Sequence, residues 1–332
     1  MNPTTTVLIL GLNSFSGSVT AARLLESGFQ VVGVNRSREV AKPYRAYMNS
    51  KFIQNLEVYE VGSNCEPEKF VEICDQHKTE AIFNFAAQSM VAQSWEEPWD
   101  WYETNCVWLS RLASALIKWG GLKRFIQYTT PEVYGSTSGW IPEGSPINPS
   151  TPYAISRAAG DLHLVAEFKK SSFPVIFTRA ANVFGPFQQR YRIIPKALIS
   201  AATEVEMELH GGGLSERSFI FMEDVAAALL KILQLGELGS SYHISTSKLV
   251  TIRQVVEICY ETYGKDPSLF LRGAVDRPGK DQAYKLDSSR LRRELSWDEK
   301  VDLKEGIKRT KAWVDYWLSD LLDLPSEYIH RP

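Results

Sequence analysis

The chain has 332 residues, 44% of them hydrophobic, enough to bury a substantial core in one large or two intimate domains. Its 37 basic and 39 acidic residues leave a net charge of −2, so there is no electrostatic case for nucleic acid or an anionic membrane as the main partner. The four cysteines, Cys65, Cys74, Cys106 and Cys259, lack CxxC spacing and no histidines cluster with them, which argues against a disulfide framework or a metal site.

From Met1 the chain runs through polar Asn2-Pro3-Thr4-Thr5-Thr6 into an apolar run, with neither a basic leader nor a long apolar stretch. No later segment reaches the length of an uninterrupted membrane helix, and the sequence reads as soluble and cytoplasmic. Val7-Leu8-Ile9-Leu10 has the continuous apolar character of a strand buried on both faces in a parallel sheet. It meets Gly11-Leu12-Asn13-Ser14-Phe15-Ser16-Gly17, a helical pattern through Leu25, and a second buried run, Val31-Val32-Gly33-Val34. Strand, glycine-bearing turn, helix and strand make up the dinucleotide-binding unit, with the pyrophosphate over the helix N-terminus. The middle glycine of the usual spacing is replaced by Ser14. Gly11, Asn13, Ser14, Phe15, Ser16 and Gly17 are therefore candidate cofactor contacts; the competing reading, a purely structural turn, explains the flanking strands less well.

Where the second strand ends, an acidic residue would hold the ribose 2′-hydroxyl of NAD. Here stand Asn35, Arg36, Ser37 and Arg38. An amide followed by guanidinium groups suits a 2′-phosphate by charge and bidentate geometry, so NADP is expected, with NAD as the alternative. Two solvated surface arginines are the bland reading.

Leu56 to Val61 predicts a third strand and Pro67 to His77 a helix. Ala81-Ile82-Phe83-Asn84-Phe85 predicts a fourth strand, followed by Ala86, Ala87, Gln88 and Ser89, where two small residues leave room for a flat cofactor. A long helix carrying Asn105 and Trp108 is expected to reach the glycine stop at Gly120-Gly121. Trp95, Trp99, Trp101 and Trp108 crowd this region among Glu96, Glu97 and Asp100, which favours packing or subunit contact over nucleic-acid stacking.

The stretch from Thr129 to Arg157 holds the candidate chemistry. A β-rich run, Arg124 to Tyr128, places Thr130 and Glu132 at a strand end. After the turn-forming Asn148 to Pro152, a helix is predicted from Tyr153 to about Lys169. Residues four apart share a helix face, so Tyr153 and Arg157 point into one cleft, where the cation is expected to lower the pKa of the phenol. A hydroxyl, a carboxylate, a phenol and a cation at strand ends form an acid–base site. Val175 to Arg179 predicts a further strand. The alternation gives an α/β fold with a doubly wound parallel sheet over residues 1–182, to which the chain returns around 215–245. Residues 183–332 are expected to be mainly a smaller C-terminal substrate-binding lobe, whose Arg192, Arg217 and Arg277 are candidates for a diphosphate.

Together the motifs Gly11…Gly17, Asn84-Phe85-Ala86-Ala87-Gln88-Ser89, Thr130-x-Glu132-Val133-Tyr134-Gly135, Tyr153-x-x-x-Arg157, Arg179 to Pro186, Arg217-Ser218-Phe219 and Arg277-Pro278-Gly279 resemble the extended short-chain dehydrogenase/reductase family over nearly the whole chain. Within it the chain is similar to nucleotide-sugar 4,6-dehydratases, and the combination Thr-Pro-Glu-Val-Tyr-Gly, Tyr-Ala-Ile-Ser-Arg and His-Gly-Gly-Gly-Leu-Ser-Glu-Arg-Ser-Phe resembles the GDP-N-acetylglucosamine 4,6-dehydratases of legionaminic acid biosynthesis. The resemblance implies a Rossmann sheet and catalytic roles for Thr130, Glu132, Tyr153 and Arg157, with Tyr153 and Arg157 also contacting the cofactor. It also implies Ser89 and Asn182 as substrate contacts, a nucleotide-sugar substrate, and a homodimer or higher homo-oligomer. A 4-epimerase or decarboxylase on the same fold, and a non-catalytic nucleotide-sugar or NADP binder, are the alternatives. Two positions depart from the family pattern: Arg157 stands for lysine, and Pro131 stands where many dehydratases carry an aspartate.

Overall fold

Short apolar runs become strands and the amphipathic stretches between them become helices, alternating through much of the chain. In the computed structural model, which describes residues 5–62, 65–137, 139–274 and 285–330, the chain begins with β1 (Thr6–Leu10), α1 (Phe15–Glu26), β2 (Gln30–Asn35), β3 (Leu56–Glu60), α2 (Pro67–Gln76) and β4 (Ala81–Asn84). Then come α3 (Pro98–Tyr102), α4 (Leu109–Trp119), β5 (Arg124–Thr129), β6 (Trp140–Ile141), α5 (Pro152–Ser171) and β7 (Val175–Ala180). Next are β8 (Asn182–Phe184), α6 (Ile193–Thr203), β9 (Met207–His210), β10 (Glu216–Arg217), β11 (Phe219–Phe221), α7 (Met222–Leu235) and β12 (Ser241–Ile244). The chain closes with β13 (Val250–Thr251), α8 (Ile252–Glu261), β14 (Leu271–Ala274), β15 (Lys285–Leu286), α9 (Ser289–Leu295) and α10 (Leu303–Asp323).

Seven strands form one sheet in the order β12-β7-β5-β4-β1-β2-β3, with every neighbouring pair parallel. Connections leave β1 to opposite sides, toward β2 and toward β4. That is the switch point beyond whose strand ends a ligand crevice opens in sheets of this kind. Val7 and Ile9 face α1 and α7, packing with Leu24, Leu25, Val225 and Leu229. Leu8 and Leu10 face the other side, with Phe70 and Ile73 of α2, Leu112 and Leu116 of α4, and Leu164 of α5. Helices on both faces explain why these strands carry no polar alternation. The edge strand β3 is the exception, mostly exposed and bearing Glu57 and Glu60, charges that discourage pairing with another chain.

A second core joins α6, α8 and α10 through Leu198, Val255, Val256 and Trp313. It is pinned to the sheet layer by Trp313, whose indole Nε1 donates to the Pro43 carbonyl at 3.0 Å.

One expected element is different. The single long helix through Asn105 and Trp108 is α3, then a π-helical run at Glu103–Trp108, then α4. The extra residue in the turn rotates Asn105 inward, and its side chain is buried. At the far end, Gly120 takes a left-handed φ of 73° and stops α4 as its position predicts.

Candidate active site

The β1–α1 turn is closed by bonds among its own residues and tied to the end of β2. Ser14 caps α1: its hydroxyl donates to the Gly11 carbonyl at 2.7 Å and accepts from the Gly17 amide at 3.0 Å. The residue that replaces the usual middle glycine thus closes the loop with a side chain. Gly11 needs its φ of 81°, and a Cβ there would come 3.0 Å from the Ala86 amide nitrogen. A Cβ at Gly17 would lie 2.4 Å from the Gly11 carbonyl oxygen. No acidic side chain neutralises the first turn of α1, so its N-terminus keeps the positive end of the helix dipole for an anion. Phe15 is buried and Ser16 half-buried.

Asn35 is buried, and its Oδ1 accepts from the Asn13 amide at 2.7 Å. The Asn13 side chain in turn holds the Arg38 carbonyl at 2.9 Å and the Val40 amide at 3.3 Å. The Nδ2 of Asn35 is a buried donor without a protein partner. An orphaned donor at the end of β2 fits an acceptor oxygen on the ribose of a dinucleotide, whereas an aspartate there would ask for a hydroxyl. Arg36 and Ser37 lie exposed beside it. On the other side of the turn, Asn84 accepts from the Ala86 amide at 3.1 Å and donates to Gln127 at 2.8 Å, fixing the path of Ala86 and Ala87.

The second group forms around Tyr153. Thr151 caps α5 by accepting from the Ala154 amide at 3.1 Å, and Pro152 sits in the first helical position, where its missing N–H is not needed. Tyr153 and Arg157 follow one turn apart, both buried. Thr130 caps the short turn Pro131–Tyr134 and accepts from the Glu132 amide at 3.3 Å. The Thr130 hydroxyl and the charges of Arg157, Glu132 and Arg192 all act on the Tyr153 phenol. Burial raises its pKa above the ordinary tyrosine value; Arg157, Thr130 and Arg192 pull it down, and Glu132 pushes it up. The expected net lowering is thus corrected. The cation is present and acts in the expected direction, but desolvation of the phenolate is the larger effect.

Sequence reasoning did not find what holds this group together. The buried Asn105 amide donates to the Gln88 carbonyl at 3.0 Å and to the Ser156 hydroxyl at 2.9 Å, while its oxygen accepts from the Gln88 amide at 3.0 Å. One side chain therefore ties the loop after β4 to α5. Ser94 accepts from the Tyr153 amide at 3.2 Å. Behind Glu132, the Tyr134 hydroxyl meets His243 Nε2 at 2.8 Å, and His243 Nδ1 meets the Ile141 carbonyl at 3.1 Å. Burial and the Arg179 charge push the His243 pKa down to about 3, so the imidazole is neutral. Only the π-helical turn presents Asn105 to these partners, and nothing in the local sequence marks that turn.

The remaining candidates are more dispersed. Ser89 is exposed on the loop after β4, and Asn182 opens β8, its amide donating to the Ser218 carbonyl at 3.0 Å. Arg192 precedes α6, its guanidinium 5.6 Å from the Tyr191 ring centre. Arg217 is buried in β10, donating to its neighbour's carbonyl at 2.8 Å. Arg277 lies outside the described residues.

The GDP-mannose 4,6-dehydratase family model matches residues 8–310. The mouse dTDP-D-glucose 4,6-dehydratase is 31% identical over 320 residues, covering 92% of this chain and 88% of that protein. The chain belongs to the nucleotide-sugar 4,6-dehydratase family of extended short-chain dehydrogenases/reductases. An Arabidopsis thaliana trifunctional UDP-glucose 4,6-dehydratase/UDP-4-keto-6-deoxy-D-glucose 3,5-epimerase/UDP-4-keto-L-rhamnose-reductase is 32% identical over 238 residues, 70% of this chain. This chain spans only 36% of that protein's length. Among solved structures, dTDP-glucose 4,6-dehydratase from Streptomyces venezuelae, crystallised with NAD, superposes with a TM-score of 0.87 at 27% identity, covering 96% of this chain and 100% of that one.

Against the family pattern, both departures have a local structural setting. Arg157, in place of lysine, extends to the Tyr128 backbone carbonyl at the end of β5 and donates to it. Pro131 is buried at the first position of its turn, leaving Glu132 as the carboxylate of that loop. No helix among the described residues is long and apolar enough to cross a membrane.

Proposed function

We propose that this protein is a nucleotide-sugar 4,6-dehydratase that converts an NDP-hexose to its 4-keto-6-deoxy sugar. The observation that carries the reading is that Thr130, Glu132 and Arg157 all act on one buried phenol, Tyr153. A 4-epimerase needs the phenol and the hydroxyl but no carboxylate to act at C5, so Glu132 favours the dehydratase over that alternative. In this scheme Tyr153 as phenolate takes the proton of the sugar 4-hydroxyl, and Thr130 hydrogen-bonds the same oxygen. The chemistry that a bound nicotinamide supplies is a reversible hydride acceptor between C4 and C6. The resulting 4-ketone acidifies C5–H; Glu132 removes that proton and delivers it to the departing 6-oxygen, since Pro131 has none to give. Water leaves, and C5 regains a proton equivalent to the one taken from O4, so both side chains end as they began.

Gly11 to Gly17, Ala86, Ala87 and Gln88 would hold the dinucleotide along the β1–α1 turn. The neutral Asn35 with Arg36 beside it supports NADP, and the NAD bound to the Streptomyces relative is the reason to measure both. Ser89, Asn182, Arg192, Arg217 and Arg277 are assigned to the substrate, with GDP-N-acetylglucosamine as the first compound to try.

Mass spectrometry of GDP-N-acetylglucosamine, GDP-mannose and the UDP-, dTDP- and CDP-hexoses incubated with the protein tests this reading. Loss of one water without net cofactor reduction is expected for one of them. An isomer of unchanged mass, or loss of carbon dioxide from a uronate, would replace the dehydratase by an epimerase or a decarboxylase. No turnover with binding intact would leave a binder. A Glu132→Gln protein that still dehydrates would remove Glu132 from its role.

A further inference from the structure

After α10 the chain does not stay on the second lobe. Arg190 Nη1 fastens the end of the helix by donating to the carbonyls of Leu322 at 2.9 Å and Leu324 at 2.7 Å, and the Arg190 amide donates to the Tyr44 hydroxyl at 3.3 Å. Lys196 of α6 pairs with Glu327 at 3.3 Å. From there the chain alternates as an extended segment does: Glu327 and Ile329 are exposed, while Tyr328 and His330 turn inward. Tyr328 packs edge-to-face on Tyr191, with ring centres 5.9 Å apart. His330 stacks on Trp101 at 4.7 Å with planes 13° apart, and its Nε2 lies 2.9 Å from Asp100 Oδ2. Its Nδ1 meets the Tyr328 hydroxyl at 3.2 Å.

Both anchor points border the candidate active site. Asp100 and Trp101 belong to α3, which follows directly on the turn where Ser94 holds the Tyr153 amide. Tyr191 is the neighbour of Arg192, whose charge acts on Tyr153 and on Tyr328 alike, and the charge of Arg36 also acts on Tyr328. The segment thus runs from the lobe, past Tyr191, to α3, with Tyr328 within reach of the charges of Arg192 and of Arg36 beside the β2 end.

We propose that residues 324–330 form a strap across the mouth of the dinucleotide groove, clasped by His330 on Asp100 and Trp101, that slows the escape of a bound nicotinamide dinucleotide. The proposal rests on the dehydratase reading, which gives it a purpose. A hydride taken from C4 must wait until C6 is ready, and a cofactor that leaves meanwhile strands the sugar as the 4-ketone. The clasp is a hydrogen bond and a ring stack rather than an apolar core, which suits a segment that opens to load cofactor and closes to keep it.

The test is stopped-flow fluorescence. The protein is loaded with NADPH or NADH and mixed with excess oxidised dinucleotide, and loss of the reduced-cofactor signal gives the release rate. His330→Ala, Tyr328→Ala and Asp100→Ala are each expected to raise that rate at least about tenfold. Association should accelerate too, so that the equilibrium affinity changes less than the release rate, a split that simple loss of stability would not give. His330→Phe, which keeps the stack on Trp101 and loses the bond to Asp100, should fall between. If His330→Ala does not fold, Asp100→Ala opens the same clasp from the other side. Release within twofold of the unaltered protein in the folded variants overturns the strap alone. An unaltered protein that binds neither dinucleotide overturns the strap together with the reading beneath it.

Discussion

The two ends of the cleft are made in different ways. At the β1–α1 turn, Gly11, Ser14 and Gly17 satisfy one another within seven residues, with Gly11 pressed close against the backbone at Phe85 and Ala86. Around Tyr153, no two of the groups that act on the phenol lie close in sequence except Thr130 and Glu132. Tyr153 and Arg157 come from α5, Thr130 and Glu132 from the turn after β5, and Arg192 from before α6. Their alignment depends on Asn105 and Ser94, which belong to none of these. The first end is closed mainly by bonds within its own turn, with Asn13 tying it to the end of β2. The second is held by long-range hydrogen bonds, so it can be loosened by residues that touch no ligand.

Tyr153→Phe should give the largest effect, because it removes the proposed proton acceptor and leaves the turn alone. Turnover should fall by about 10²–10⁴-fold while dinucleotide affinity, read by fluorescence titration, stays within about twofold. An equal loss of affinity would show that the two ends are not separable.

Asn105→Ala sharpens the contrast from the side of the support. It removes three buried hydrogen bonds, two of them to the Gln88 backbone, so denaturant unfolding should show a loss of about 2–4 kcal/mol. Activity in the folded fraction should fall through kcat more than through KM. A variant with full kcat would mean that the tie between the loop and α5 does not align the phenol.

Gly17→Ala asks the same of the local end. The added methyl meets the Gly11 carbonyl, and the expected cost is about 1–3 kcal/mol of stability with at least a tenfold weaker dinucleotide. Thermal unfolding and titration together report it; unchanged binding would mean that the turn has room the backbone distances deny.

The smallest effect concerns the histidine behind the Pro131–Tyr134 turn. Folded His243 resists protonation down to about pH 3, whereas the unfolded chain protonates it near 6.5. The unfolded state therefore takes up a proton first as the solution is acidified. This contribution to stability is whole above about pH 6.5 and drains away toward pH 3. Melting temperatures of the unaltered protein should drop across that window, and more shallowly in His243→Gln.

Much of the fold was legible because its signals are local. Val7 to Leu10 and Val31 to Val34 are apolar without alternation because helices cover both faces, and Gly120 marks the end of α4 because few other residues take its φ. That Thr130, Glu132 and Arg157 gather around Tyr153 was legible as a pattern, since strand ends and helical spacing predict which side chains can meet. Three things were decided only when the chain closed up. Asn105 acquired its partners through a π-helical turn, whose extra residue is favoured by bonds to Gln88 and Ser156 rather than by any propensity of Glu103 to Trp108. The Tyr153 phenol was pushed up rather than down because desolvation depends on everything packed around it, while the charge of Arg157 was visible from spacing alone. The segment beyond α10 found α3, some 230 residues earlier in the chain, through a stacked ring and one hydrogen bond. Residue spacing sets what a helix or strand presents; burial and long-range pairing depend on which surfaces meet, and that is settled by the tertiary fold.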